Sequence, residues 1–151
     1  MIGVVSAALL TSAGAVNATP TKNTIYVDGT KVNGAAYMIN NNNYFKLRDV
    51  AAMVNGSTKQ FEVSWNETNK RIDLTTNKAY TVVGGEMALP SSAVKTAKES
   101  KASVFKDGNK ADYTGYNISD NNYYKLRDLC KDMNIGVKFD LATNRVDILT
   151  T

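Results

Sequence analysis

The chain has 151 residues, 43% of them apolar, with 18 basic and 14 acidic side chains and a formal charge of +4. That length admits one ordinary domain or two very small ones, and that apolar share excludes disorder throughout. There is no histidine, and Cys130 is the single cysteine, which excludes Ser–His and Cys–His nucleophiles, an intramolecular disulfide and Cys/His zinc clusters.

The charges are scattered, with no run of five or six of one sign. That is the pattern of a solvated surface, so no nucleic-acid partner is expected. Residues 1–18 read as a signal peptide. Residues 2–16 carry no charge, and Val16 and Ala18 stand at the minus-three and minus-one places of a cleavage site. The basic start of such a signal is missing, which points to a start inside a longer one. Beyond Thr19 no apolar stretch approaches the length of a membrane span.

An internal repeat organises the rest of the chain. Residues 25–55 align without gaps onto residues 104–134 at an offset of 79, with thirteen of 31 pairs identical. After a five-residue gap, residues 61–74 match residues 135–148. Each copy reads as strand, strand, helix, strand, strand. Asp28-Gly29 and Asp107-Gly108 are hairpin turns in which both central residues need positive φ. Asn40 to Asn43 form a polar turn. Leu47, Val50, Ala51 and Val54 recur at i, i+3, i+4 and i+7, as do Leu126, Leu129, Cys130 and Met133, which predicts one buried helical stripe per copy. Gly56 marks the helix stop in copy one. Phe61, Val63 and Trp65 alternate as the inward face of a strand, and residues 79–83 supply a fifth one.

The predicted architecture is α+β: two tandem small modules, each a 4–5-stranded antiparallel sheet packed on one helix. Module one spans residues 24–83, a linker residues 84–102, and module two residues 103–151. Module two reads as truncated, because it has no counterpart of residues 79–83. Its bare edge implies a longer chain with further domains, or another copy pairing there.

The segments Tyr44-Phe45-Lys46-Leu47-Arg48-Asp49-Val50-Ala51 and Tyr123-Tyr124-Lys125-Leu126-Arg127-Asp128-Leu129, preceded by Val27-Asp28-Gly29 and followed by Val63-Ser64-Trp65, resemble the copper amine oxidase N-terminal domain-like family, or stalk domains. The resemblance covers nearly all of the chain after the signal, twice. Lys46 and Lys125 stand where the family often has proline, and Phe139 replaces the tryptophan in copy two. The resemblance implies a non-catalytic module of secreted and cell-surface proteins, typically of Gram-positive bacteria. Amine oxidase activity is not implied, since the three histidine ligands and the Asn-Tyr-Asp/Glu cofactor motif are missing.

The expected role is therefore a rigid spacer or protein-interaction module, with no enzyme activity and no cofactor. Leu47, Arg48, Asp49, Leu126, Arg127 and Asp128 read as structural, with each aspartate in the first turn of its helix. Tyr37, Tyr44, Tyr116, Tyr123 and Tyr124 are the candidate binding residues, because aromatic faces with polar tips stack on sugars or bury at interfaces. They support the alternative of a module that binds cell-wall glycan. The segment from Asp107 to Asp112 lacks the glycine and glutamate of a calcium loop and is read as a turn. Cys130 is read as an inert buried thiol.

Overall fold

The computed structural model describes residues 15–151, so residues 1–14 of the predicted signal lie outside the described residues. The first copy contributes β1 (Ala15–Pro20), β2 (Thr24–Val27), β3 (Thr30–Val32), β4 (Ala36–Ile39), β5 (Asn42–Lys46), α1 (Leu47–Val54), β6 (Phe61–Asn66) and β7 (Arg71–Thr76). The second repeats the order with β8 (Lys95–Glu99), β9 (Ser103–Lys106), β10 (Asn109–Ala111), β11 (Gly115–Ile118), β12 (Asn121–Lys125), α2 (Leu126–Asp132), β13 (Gly136–Asp140) and β14 (Arg145–Leu149).

Local chemistry behaves as the pattern requires. Asp28 and Gly29 have φ of 49° and 84°, and Asp107 and Gly108 the same values, which closes both hairpins in the mirror-image turn that matches strand twist. Both helical stripes are buried.

The assembly is not two modules side by side. Six strands form a closed barrel in the order β11-β12-β5-β4-β1-β8, with both copies contributing three. The copies meet across two seams. Phe45 faces Tyr124 where β5 pairs with β12, and Asn17 faces Thr96 where β1 pairs with β8. The facing residues are repeat equivalents, so a pseudo-twofold axis runs through both seams. Outside the barrel lie two four-stranded sheets, β10-β9-β7-β6 and β13-β14-β2-β3. Each mixes the copies. The hairpin β9-β10 joins β7 of the first copy in parallel, and β14 of the second joins β2 of the first. The chain is thus mostly β, intertwined about a shared barrel, and the predicted α+β pair of independent sheets is corrected.

Three further expectations change with it. Ala15 to Ala18, at the end of the predicted signal, belong to β1 of the barrel. Within residues 84–102, read as a linker, Lys95–Glu99 is the barrel stave β8. Trp65 is 51% exposed, although Phe61 and Val63 are buried. An eight-residue helix is about 12 Å long and a six-residue strand about 20 Å, so α1 cannot cover both ends of β6.

Paired side-chain locks hold the exchange. Arg71 donates Nε to Asp73 at 2.8 Å and lies 4.0 Å over the ring of Phe105 from the other copy. Arg145 forks onto Asp147 at 2.9 Å twice and lies 3.6 Å over Tyr26. Asp28 accepts the backbone N–H and hydroxyl of Thr150 at 2.8 and 2.6 Å, and Asp107 does the same for Thr76 at 3.0 and 2.7 Å. Repeated residues of the turn thereby clamp the last strand of the opposite copy.

Two outcomes are expected. A fragment of residues 91–151 leaves β14 without β2 and the barrel half-built, so it is not a folded monomer; a dispersed amide NMR spectrum from a monomeric fragment would refute the intertwined fold. The second concerns pH. Hydrogen bonds from Thr150 and Thr76 hold the Asp28 and Asp107 carboxyls below their usual range. A lowered folded-state pKa gives stability that is present above the unfolded value and lost as pH falls through the folded one. Asp28→Asn with Asp107→Asn should lower Tm at neutral pH and flatten its decline below about pH 4, measured by thermal melts at several pH values.

Candidate functional site

The tyrosines line the inside of the barrel. Side chains alternate along β4, β5, β11 and β12, so Tyr37, Ile39, Tyr44, Ile118 and Tyr123 share its inner face. Tyr37 meets Tyr123 edge to face at 5.4 Å, and Tyr44 meets Tyr116 at 5.2 Å, the same pair repeated across the axis. Tyr37, Tyr44 and Tyr123 are at most 5% exposed, and burial raises the pKa of all three hydroxyls. Tyr116 is half-buried against the same cluster. Tyr124 faces outward from the barrel wall into the helical core and is 1% exposed. Four of these five rings are buried outright, so the expected stacking on a ligand finds no free platform among them.

Leu47 and Leu126 lie in the main core at 3% and 0% exposure. Asp49 is fully buried, accepting the amides of Ala35 and Met87 at 2.8 Å each. Burial raises its pKa, against the pull of those two donors. Arg48 reaches the carbonyl of Val63 at 3.5 Å and the hydroxyl of Tyr80 at 3.3 Å. Together they hold a strap. Residues 79–83, predicted as a fifth strand, pair with no strand among the described residues, because only Tyr80 turns inward and Gly84 and Gly85 follow at φ of 101° and 85°. Tyr80 donates to Glu86 at 2.6 Å, Glu86 takes the amides of Val83 and Gly84, and Glu62 accepts the amide and hydroxyl of Thr81. Glu86 is lowered to about 2 chiefly by the Tyr80 bond, and Tyr80 raised to about 12 chiefly by burial.

In copy two the same positions are freer. Arg127 is exposed and lies 4.3 Å over Phe139, while Asp128 is half-buried and accepts no hydrogen bond among the described residues. Cys130 is buried with its thiol pushed up to about 12, consistent with an inert side chain.

What the fold assembles, and the sequence does not disclose, is a pair of related clefts at the copy boundary. One, of about 400 Å³, sets Asn41, Asn42 and Asn43 of copy one against Lys125, Arg127 and Phe139 of copy two. Its counterpart, about 170 Å³, sets Asp120, Asn121 and Asn122 of copy two against Lys46, Arg48 and Trp65 of copy one. The tips are mirror-image turns, with φ of 50° and 66° at Asn40 and Asn41 and 49° and 67° at Ser119 and Asp120. Asn43 and Asn122 are fixed by hydroxyls of Thr21 and Ser100 at 2.9 Å. Amide groups, a lysine, an arginine and an aromatic ring can bind a polar ring-shaped ligand. Among the described residues there is no cluster of three metal-ligating side chains and no helix long and apolar enough to cross a membrane. The repeated Asn-Asn and Lys-x-Arg segments were the legible signal; their meeting depends on the exchange.

Compared with protein-family models, with curated proteins and with solved structures, the chain matches none.

The axis itself gives a test. Among the described residues the buried Tyr124 hydroxyl makes no hydrogen bond of ordinary geometry, the nearby Ser100 hydroxyl being committed to Asn122, and its repeat equivalent is Phe45. Tyr124→Phe removes an unsatisfied polar atom, so stability should hold or rise by about 1 kcal/mol, read from denaturant unfolding.

Proposed function

We propose that the chain is a non-catalytic stalk-type module of a secreted or cell-surface protein, acting as a spacer and interaction domain. The observation that carries this reading is where the repeated polar residues are spent. Asp28 and Asp107 bind the opposite copy, Arg71 and Arg145 stack across to it while held by Asp73 and Asp147, and Asp49 and Arg48 hold the strap. The motif that resembles stalk domains is therefore a folding motif, and an intertwined barrel is a stiffer spacer than two beads on a linker. Protease shaving and fractionation of the source cells test the location. Recovery in the cytosolic fraction, protected from protease, would end this reading.

A second reading, glycan binding, is favoured by one observation. Trp65 stands 51% exposed beside Lys46, Arg48 and the Asn121-Asn122 pair, and its repeat counterpart Phe139 is half-buried under Arg127 in the other cleft. Exposed aromatic faces flanked by amides stack on sugar rings. Co-sedimentation with insoluble peptidoglycan and polysaccharides, comparing wild type with Trp65→Ala and Phe139→Ala, is the measurement. Pelleting that falls several-fold in the variants, whose folds stay intact by circular dichroism, supports it. Equal pelleting in all three removes the clefts from consideration.

A further inference from the structure

In copy one the first half of the edge strand β6 is buried, with Glu62 holding the strap at Thr81, while Ser64 and Trp65 are exposed. In copy two Ile135, before β13, is buried, but among the described residues nothing covers Gly136, which is exposed, and Val137 is half-buried where Val63 is buried. Arg48 binds Tyr80 and the Val63 carbonyl, and its equivalent Arg127 does neither, lying on Phe139 instead. The side chain that holds a strap is thus repeated, and among the described residues the strap is not.

We propose that the α2–β13 face is a docking site for an extended peptide segment carrying a tyrosine with a carboxylate a few residues further on, as in Tyr80 to Glu86. The covered half of the molecule shows the chemistry. The tyrosine ring fills the core beside the helix at 5% exposure, its hydroxyl receives the arginine, and the carboxylate takes the hydroxyl proton's hydrogen bond. On the uncovered half Arg127 is the equivalent cation, exposed and bound to no carboxylate among the described residues. In copy one the segment runs along this edge without strand pairing among the described residues, held by side chains of the helix and the strand.

Two differences define the ligand. Gly136 replaces Glu62, so the anchor that holds the Thr81 amide and hydroxyl is gone and the residue after the tyrosine is unrestricted. Tyr113 replaces Gly34, and its hydroxyl bonds Asp132 on α2. Tyr113 and Asp128 line one shallow cleft, so the ring lies beside the carboxylate whose equivalent, Asp49, receives Met87. The site in copy two therefore takes the tyrosine end of such a segment.

This names a partner chemistry for the interaction role proposed above and rests on that role, but its test is separate from location and from glycan binding. The probe is a synthetic peptide of residues 77–89, added to the isotope-labelled full chain at up to about 1 mM, which suffices for contacts of moderate strength. The expected result is saturable amide shifts confined to α2, β13 and β14, lost with a Tyr80→Ala or Glu86→Gln peptide. They should also weaken at least several-fold in Arg127→Ala, whose own unbound spectrum is the reference for its shifts and the check that it is folded. Absence of shifts, shifts at α1 and β6 through displacement of the resident strap, or binding indifferent to Arg127 would each overturn the assignment.

Discussion

The parallel pairing of each outer hairpin with the last strand of the opposite copy is the constraint on which the rest depends. It is made by short strands, four register pairs each, and parallel ladders of that length are weak by themselves. The side chains supply the specificity. An arginine fixed by its own strand's aspartate stacks on an aromatic ring of the incoming strand, and the aspartate of the incoming turn captures a threonine amide and hydroxyl at the strand end. Both locks occur twice, related by the pseudo-axis. Once they form, β1 and β8 are brought together on one side and β5 and β12 on the other, and the barrel closes.

Closure explains the fate of the tyrosines. A six-stranded barrel has an interior only wide enough for side chains to fill, and rings paired edge to face fill it from both copies. Residues that looked like the best binding candidates are consumed in making the barrel wall solid. Exposed aromatic surface appears instead at Trp65, where a short helix runs out.

Much of this molecule was legible locally. The repeat offset, the Asp-Gly turns, the two helical stripes and the structural standing of Arg48 and Asp49 follow from residue chemistry and spacing. What was not legible is partner choice. The alternation along Ile72 and Leu74 is the same whether β7 stays in its own sheet or receives Val104 and Phe105 from the other copy. Two similar copies raise this ambiguity to its maximum, because every intracopy contact has an intercopy twin of comparable hydrophobic quality. The strand β8 escaped for another reason: Lys95–Glu99 is polar, with Ala97 as its one buried residue, so periodicity could not find it. The clefts, built across the boundary, inherited the same blindness.

Three differences between the copies fall together at the strap. Gly34 leaves room beside α1 that a β-carbon would close against Met53, and Met87 of the strap docks at the neighbouring Asp49; at the equivalent place Tyr113 fills the space itself. Glu62 binds the strap at one end, and Gly136 has no side chain to do so. Pseudo-symmetry has thus been relaxed at the strap surface while the locks that require both copies are kept in pairs.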